Sequence, residues 1–386
     1  MHRLSAIAVG LATGLVAVLG TAAPVIAQTP PRFANGLPTE PSFFPIAVWL
    51  QSPHQAERYQ ELGVNLFIGL WQGPTTAQLD ALRDAGMRVI CEQNDVGLAY
   101  APGTIVGWMH QDEPDNAQPA AMGYGAPIAP AEIARRYEAM RRRDPTRPVF
   151  LNLGQGAAWD GWHGRGVRTN HPEDYPEYVK GCDIASFDVY PVTHSHADVQ
   201  GRLEFVARGV RRLREGCRAT KPVWACIETT HIDNAEVRPT PQQVQDEVWI
   251  AVCAGASGIV WFAHQFAPEF VEAGLLQHPE ITAAVREVNA ALLRLAPVLH
   301  APRADDAVAV TAEPAADLAV RVHRHDGALH VLVASLAPEP VTARVQVRGR
   351  QRGEVRIDGA DAVAFAAGSF AVELRGYGHA HAVVVE

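Results

Sequence analysis

The chain has 386 residues, 48 % of them apolar, and a formal net charge of -9. Such a composition is too apolar for a disordered chain, and the length suffices for one large domain with a smaller companion. Basic residues are scattered rather than massed, which argues against nucleic acid and anionic membrane surfaces as partners; Arg135, Arg136 and Arg141 to Arg143 alternate with Glu132 and Glu138 and read as a solvated helix face.

Met1-His2-Arg3 precedes an apolar run over residues 4–19, and small residues lead on to Ala27. This is the order of a secretory signal peptide over residues 1–27, which predicts export to the cell exterior or periplasm and no membrane association after cleavage. An uncleaved anchor is the alternative, because the run approaches the length of a membrane span. Residues 28–42, rich in Pro, Thr and Gly, read as a linker.

From residue 43 to 297 a short apolar run followed by an amphipathic stretch recurs eight times. Strands are predicted over residues 43–50, 65–70, 88–93, 105–110, 148–153, 183–190, 222–229 and 258–262, with helices over 54–62, 76–85, 130–143, 199–217, 241–254 and 279–295. Parallel strands buried on both faces must be joined by crossovers, so eight such units predict an α/β fold of the (β/α)8 TIM-barrel type. A doubly wound open sheet is the alternative, since periodicity does not show closure.

Over residues 298–386 the pattern changes to short strands of alternating polarity, punctuated by Asp326-Gly327 and Asp358-Gly359. A C-terminal antiparallel β-sandwich is expected there, packed on the barrel, with Phe365, Phe370 and Tyr377 as its only candidates for exposed aromatic rings. The cysteines number five, so at least one thiol is free. Cys182 opens a strand and Cys217 ends the next helix, which leaves a disulfide at the bottom rim and free thiols equally open; Cys91, Cys226 and Cys253 lie in apolar runs and read as core.

In a TIM barrel the working residues stand at the C-terminal strand ends. Here those ends carry Trp49, Trp71, Glu92, Asp112 and Glu113, Asn152, Asp188 and Tyr190, Glu228 and His231, and Trp261 and His264. Aromatic rings beside carboxylates suit sugars, whose rings have apolar C–H faces and polar edges. Cleaving a glycosidic bond takes one carboxylic acid to protonate the departing oxygen and a second carboxylate across the ring. Glu113 and Glu228 are expected to face each other across the barrel mouth as that pair, with the other ten residues contacting an oligo- or polysaccharide. Packing roles are the alternative for the Trp residues, a cap-like role for Glu113 and a buried ion pair for Glu228.

Four segments carry a resemblance. Residues 105–114 (IVGWMHQDEP), 183–191 (DIASFDVYP), 221–229 (KPVWACIET) and 258–262 (GIVWF) resemble, in order, strands 4, 6, 7 and 8 of the clan A retaining glycoside hydrolases, whose catalytic barrel includes that of the β-galactosidases and β-glucuronidases. The resemblance implies Glu113 as acid/base, Glu228 as nucleophile, Tyr190 as its hydrogen-bond donor and Trp261 as the floor of the sugar site. Asp112 departs from the family pattern, which has Asn there contacting the sugar 2-hydroxyl; it either meets the sugar directly or pairs locally. A catalytically silent carbohydrate-binding barrel is a second reading. A metal-dependent hydrolase is a third, although His194-Ser195-His196 lacks a second ligand set. No motif for a metal or cofactor is present.

Overall fold

The structure, a computed structural model, describes residues 32–385. The predicted signal peptide and its cleavage site at Ala27 lie outside the described residues. Eight parallel strands close into a barrel in chain order: β1 Ile46–Trp49, β2 Leu66–Ile68, β3 Arg88–Glu92, β4 Ile105–Met109, β5 Val149–Leu153, β6 Ile184–Phe187, β7 Val223–Glu228 and β8 Ile259–Phe262. β8 returns to pair with β1, so the sheet is closed rather than open.

The helices around it are α1 Ala56–Gln60, α2 Thr76–Asp84, α3 Asp95–Ala99, α4 Pro130–Arg143, α5 Tyr175–Tyr178, α6 Glu204–Gly216, α7 Pro241–Ala254 and α8 Pro279–His300. Local chemistry sets their ends. Thr75 and Thr240 each form a capping box with the Gln three residues on, and Gly255 ends α7 at φ 112°, a conformation that a side chain disfavours. α6 starts at Glu204 rather than near residue 199, because turn bonds such as Arg202 N to Val199 O occupy the preceding stretch.

Two apolar layers follow from strand alternation. Ala47, Leu66, Ile68, Phe150, Ile184, Trp224 and Val260 fill the barrel, whereas Phe67, Leu151, Phe187, Ala225 and Ile259 pack outward under the helices. In β4 the register to β3 slips by one residue after Ile105, a bulge that turns Trp108 outward and Met109 inward. His110 is outward too, its Nε2 2.8 Å from Gly181 O.

The C-terminal strands are β9 Val308–Glu313, β10 Leu318–His325, β11 Ala328–Ser335, β12 Val341–Val347, β13 Arg352–Ile357, β14 Val363–Ala366, β15 Ser369–Leu374 and β16 His379–Val385. They form one antiparallel ladder in the order β10-β11-β16-β13-β14-β15-β12-β9, and residues from both of its ends, such as Val331 and Val345, share one apolar core between two sandwich-like layers. Phe365 and Phe370 belong to that core, at 6 % and 9 % exposure, so they are not surface rings. Tyr377 instead donates to Glu204 of α6 at 2.8 Å.

This sheet packs on the barrel through polar links as well. The buried Arg321 of β10 donates to Val252 O, Ala256 O and Leu299 O, and Arg375 pairs with Asp246 of α7. All five cysteines are free and buried. Cys182 and Cys217 are not bridged; their sulfurs lie 3.5 Å from Val179 O and Arg214 O respectively, each a weak bond within its own turn.

Candidate active site

Backbone strain marks the upper rim. Leu50, Gln72 and Glu113, following β1, β2 and β4, all hold left-handed φ values of 45°, 54° and 41°. Such conformations cost energy in residues with side chains and persist where the surroundings impose them. At Glu113 the turn keeps the carboxyl against Gly154, where an added Cβ would lie 2.8 Å from Glu113 Oε1. Asn116 donates to Glu113 Oε2 at 2.9 Å, and Trp162 donates to Asn116 in turn at 2.9 Å.

Three carboxyls gather around this point. Asp188 is within hydrogen-bond contact of Glu113, and Asn152 donates to Asp112 at 2.9 Å and to Asp188 at 3.2 Å. Burial, and then the charge of Asp112, pushes Asp188 up to about 8. The surrounding protein likewise raises Asp112 to about 6, against the opposing bond from Asn152, although the residue keeps surface open to the cleft. Glu113 is held well above the carboxylate range by burial and by Asp188 and Asp112. Like charges in a low-dielectric site cannot all ionise, so the cluster retains a proton near neutral pH. Beneath it, the buried Asp115 accepts from Gly154 N at 2.8 Å and Tyr175 Oη at 2.9 Å, tying the β4 and β5 loops together.

Beside Asp112 opens a cleft of about 930 Å³ lined by Trp49, Gln51, Trp71, Phe262, His264 and Phe270 among others. Trp71 is 71 % exposed and Phe270 62 %. His264 stacks on Phe266 and Phe270, with Nε2 3.3 Å from Gln51 Nε2. A volume of this size with apolar walls and a few polar groups suits a small ligand or a few sugar units.

The predicted residues therefore divide. Trp49, Trp71, Asp112 and His264 line the cleft, and Glu113, Asn152, Asp188 and Tyr190 cluster at its carboxyl centre. Glu92 ends β3 with an exposed side chain, outside the residues lining the cleft, and His231 approaches Asn234 O at 3.1 Å within its own loop.

Glu228 does not face Glu113 across an open mouth. It has 0 % exposure, and its oxygens accept from Val192 N at 2.7 Å and Thr193 N at 3.0 Å. Its carboxyl also meets that of Glu247 on α7, which is equally buried. Tyr190 does not support it: its buried hydroxyl has no hydrogen-bond partner, and its ring meets Phe262 at 4.9 Å. Trp261 is not the floor of the cleft either. In β8 the inward positions are Val260 and Phe262, so Trp261 points outward, at 0 % exposure, and donates to Asn289 of α8 at 3.1 Å.

Several contributors carry no sequence signal of their own. Gln51, Phe266 and Phe270 lie beyond strand ends, and Asn116 and Trp162 meet only through loop folding. Phe262 was legible in principle, from the alternation of β8.

No family model and no curated protein matches the chain. Among solved structures, it is similar to a glucosidase from Croceicoccus marinus at 12 % identity and TM-score 0.43, covering 92 % of this chain and 98 % of that one. It is also similar to a GH30 endoxylanase from Clostridium papyrosolvens at 11 % identity and TM-score 0.45, with 89 % and 96 % covered. A putative α-L-fucosidase from Bacteroides thetaiotaomicron matches at 13 % identity and TM-score 0.45, over 70 % of this chain and 99 % of that one. Likenesses this distant leave the activity to be argued from the site.

Proposed function

We propose that the chain is a glycoside hydrolase acting on an oligo- or polysaccharide at the C-terminal mouth of the barrel, with Glu113 as proton donor. The observation that carries this reading is a carboxyl held by Asn116 and Gly154 and crowded by Asp188 and Asp112, beside a cleft walled by aromatic rings. A general acid must hold its proton at working pH, and burial beside two other carboxyls supplies that condition. Asp112 shows surface to the cleft and is oriented by Asn152, which supports a role for its carboxylate in offsetting the charge of an oxocarbenium-like transition state. Export by the N-terminal leader belongs to the same proposal.

The retaining double displacement implied by the sequence resemblance needs Glu228 at the anomeric carbon. That would require its carboxylate to give up two backbone N–H bonds and its contact with Glu247. The closed geometry favours Asp112 as the second carboxylate.

Aryl glycosides and oligosaccharides, assayed with purified variants, test the assignment. Glu113→Gln is expected to lower kcat by about 10²–10⁴-fold on substrates with poor leaving groups, with sugar binding preserved. Glu228→Gln is expected to keep kcat within about threefold while altering thermal stability. A folded Glu228→Gln protein without turnover, together with retained anomeric configuration in an NMR time course, would return the nucleophile role to Glu228. Sugar binding with no product from the unmodified chain would favour the silent carbohydrate-binding barrel.

A further inference from the structure

The cleft beside Asp112 is built from the ends of β1 and β8, the loops after β1, β2 and β8 and one face of α2, together with Asp112 itself. A second aromatic surface stands at the loops after β5 and β6. Trp159 meets His194 and His196 at ring distances of 5.4 and 4.7 Å, and Trp162 meets His163 and His194 at 4.6 and 6.1 Å. Both indoles are half-buried, so each keeps part of its ring open to solvent, while Asp160 beside them is exposed.

Two features make this more than surface packing. Trp162 connects to Glu113 through one intervening residue, its Nε1–H donating to Asn116 and Asn116 donating to Glu113 Oε2. His194, 1 % exposed, accepts from His196 N at its Nδ1 and leaves a buried Nε2–H with no partner. An unpaired donor beside two half-buried indoles is a group that a sugar hydroxyl satisfies where the rings admit one, and indole faces stack on sugar C–H faces.

We propose that the surface formed by Trp159 and Trp162 is a second sugar-binding subsite, on the opposite side of Glu113 from the aromatic cleft. The substrate is then a chain of several sugar units held on both sides of the bond cleaved. This rests on the glycosidase reading for the role of Glu113, but the subsite itself is a claim about binding.

Affinity electrophoresis separates the two. Glu113→Gln protein is run in native gels containing xylan, mixed-linkage β-glucan, galactomannan, arabinan or galactan, and compared with the same protein carrying Trp159→Ala or Trp71→Ala. Retardation in at least one gel is expected, weakened at least tenfold in apparent affinity by either added substitution. If Trp159→Ala misfolds by circular dichroism, Trp159→Phe and His196→Ala take its place, each expected to weaken retardation at least threefold. Undiminished retardation in the folded Trp159 variants, or no retardation in any gel, overturns the subsite. Hydrolysis of aryl glycosides by the unmodified enzyme reports on the glycosidase reading alone: its presence without retardation sinks only the subsite. Retardation that depends on Trp159 in a chain that cleaves nothing sinks only the hydrolase.

Discussion

At the scale of single residues, the site is a problem of sharing protons. Asp112, Glu113 and Asp188 stand together with Asn152 as a donor to two of them, and no cation is among the groups that shift them most. With the roles proposed above, turnover needs Asp112 ionised and Glu113 protonated, so kcat/KM is expected to follow a bell. The rising limb lies near the value of about 6 held by Asp112, and the falling limb lies well above the carboxylate range, set by Glu113. Asp188 helps to hold the Glu113 proton in place, so Asp188→Asn should move the falling limb to lower pH by about one unit or more while leaving the rising limb closer to its place. A pH–rate profile of the two proteins checks this; a falling limb that stays put would show that burial alone retains the proton.

At the scale of elements, β7 and α7 are joined by a pair of carboxyls, Glu228 and Glu247, that share a buried contact. Burial raises Glu228 to about 7, whereas in the unfolded chain it titrates near 4.5, so between those values the folded state binds more protons than the unfolded one. Stability therefore falls as pH rises through that window and is greatest below it. Glu247→Gln replaces one carboxyl by an amide that donates to Glu228, and the decline of Tm between about pH 5 and pH 8 should flatten. The variant should gain on the order of 1–3 kcal/mol at the alkaline end. Calorimetry at both pH values decides it, since an unchanged slope means that other groups carry the dependence.

The same scale shows what the sequence could and could not tell. Strand and helix positions were legible because residues buried on both faces leave continuous apolar runs, and capping threonines mark helix starts. Which face a strand-end residue takes was not. In β8 the resemblance implies Trp261 as the floor of the sugar site, but alternation turns Phe262 toward the cleft and sends Trp261 to Asn289. Glu228 reads as a catalytic carboxylate from its place at the end of β7 and from the resemblance, whereas its buried neighbour Glu247 lies on a helix that no local pattern links to it. Phe262→Ala should accordingly raise KM several-fold with modest loss of stability. Trp261→Phe should leave KM alone and cost about 1–3 kcal/mol by stranding the Asn289 oxygen. Paired kinetics and thermal melts distinguish these outcomes.

At the scale of the whole molecule, the C-terminal sheet is bound to the barrel by more than apolar contact. Arg321 reaches from β10 to the end of α7, to Ala256 beyond it and to the end of α8, where its guanidinium donates to three backbone carbonyls as well as to His323. Those carbonyls lie at helix C-termini, where the backbone leaves acceptors unfilled and a cation complements the helix dipole. Burial works against the charge, drawing Arg321 down to about 10, and the carbonyls offset that penalty without a carboxylate among its hydrogen-bond partners. Arg321→Ala removes the donor and leaves several buried acceptors bare, a loss of about 3–5 kcal/mol by the usual cost of stripping a buried charged hydrogen-bond network. Because the lost bonds span the two parts of the chain, the single unfolding transition expected of a coupled molecule should separate into two in the calorimeter, the sheet melting first. The cleft lies at the other end of the strands, so activity below the first transition should be preserved. A variant that melts at lower temperature but still in one transition would mean that Arg375 with Asp246, Tyr377 with Glu204 and the apolar contact suffice to couple the two parts.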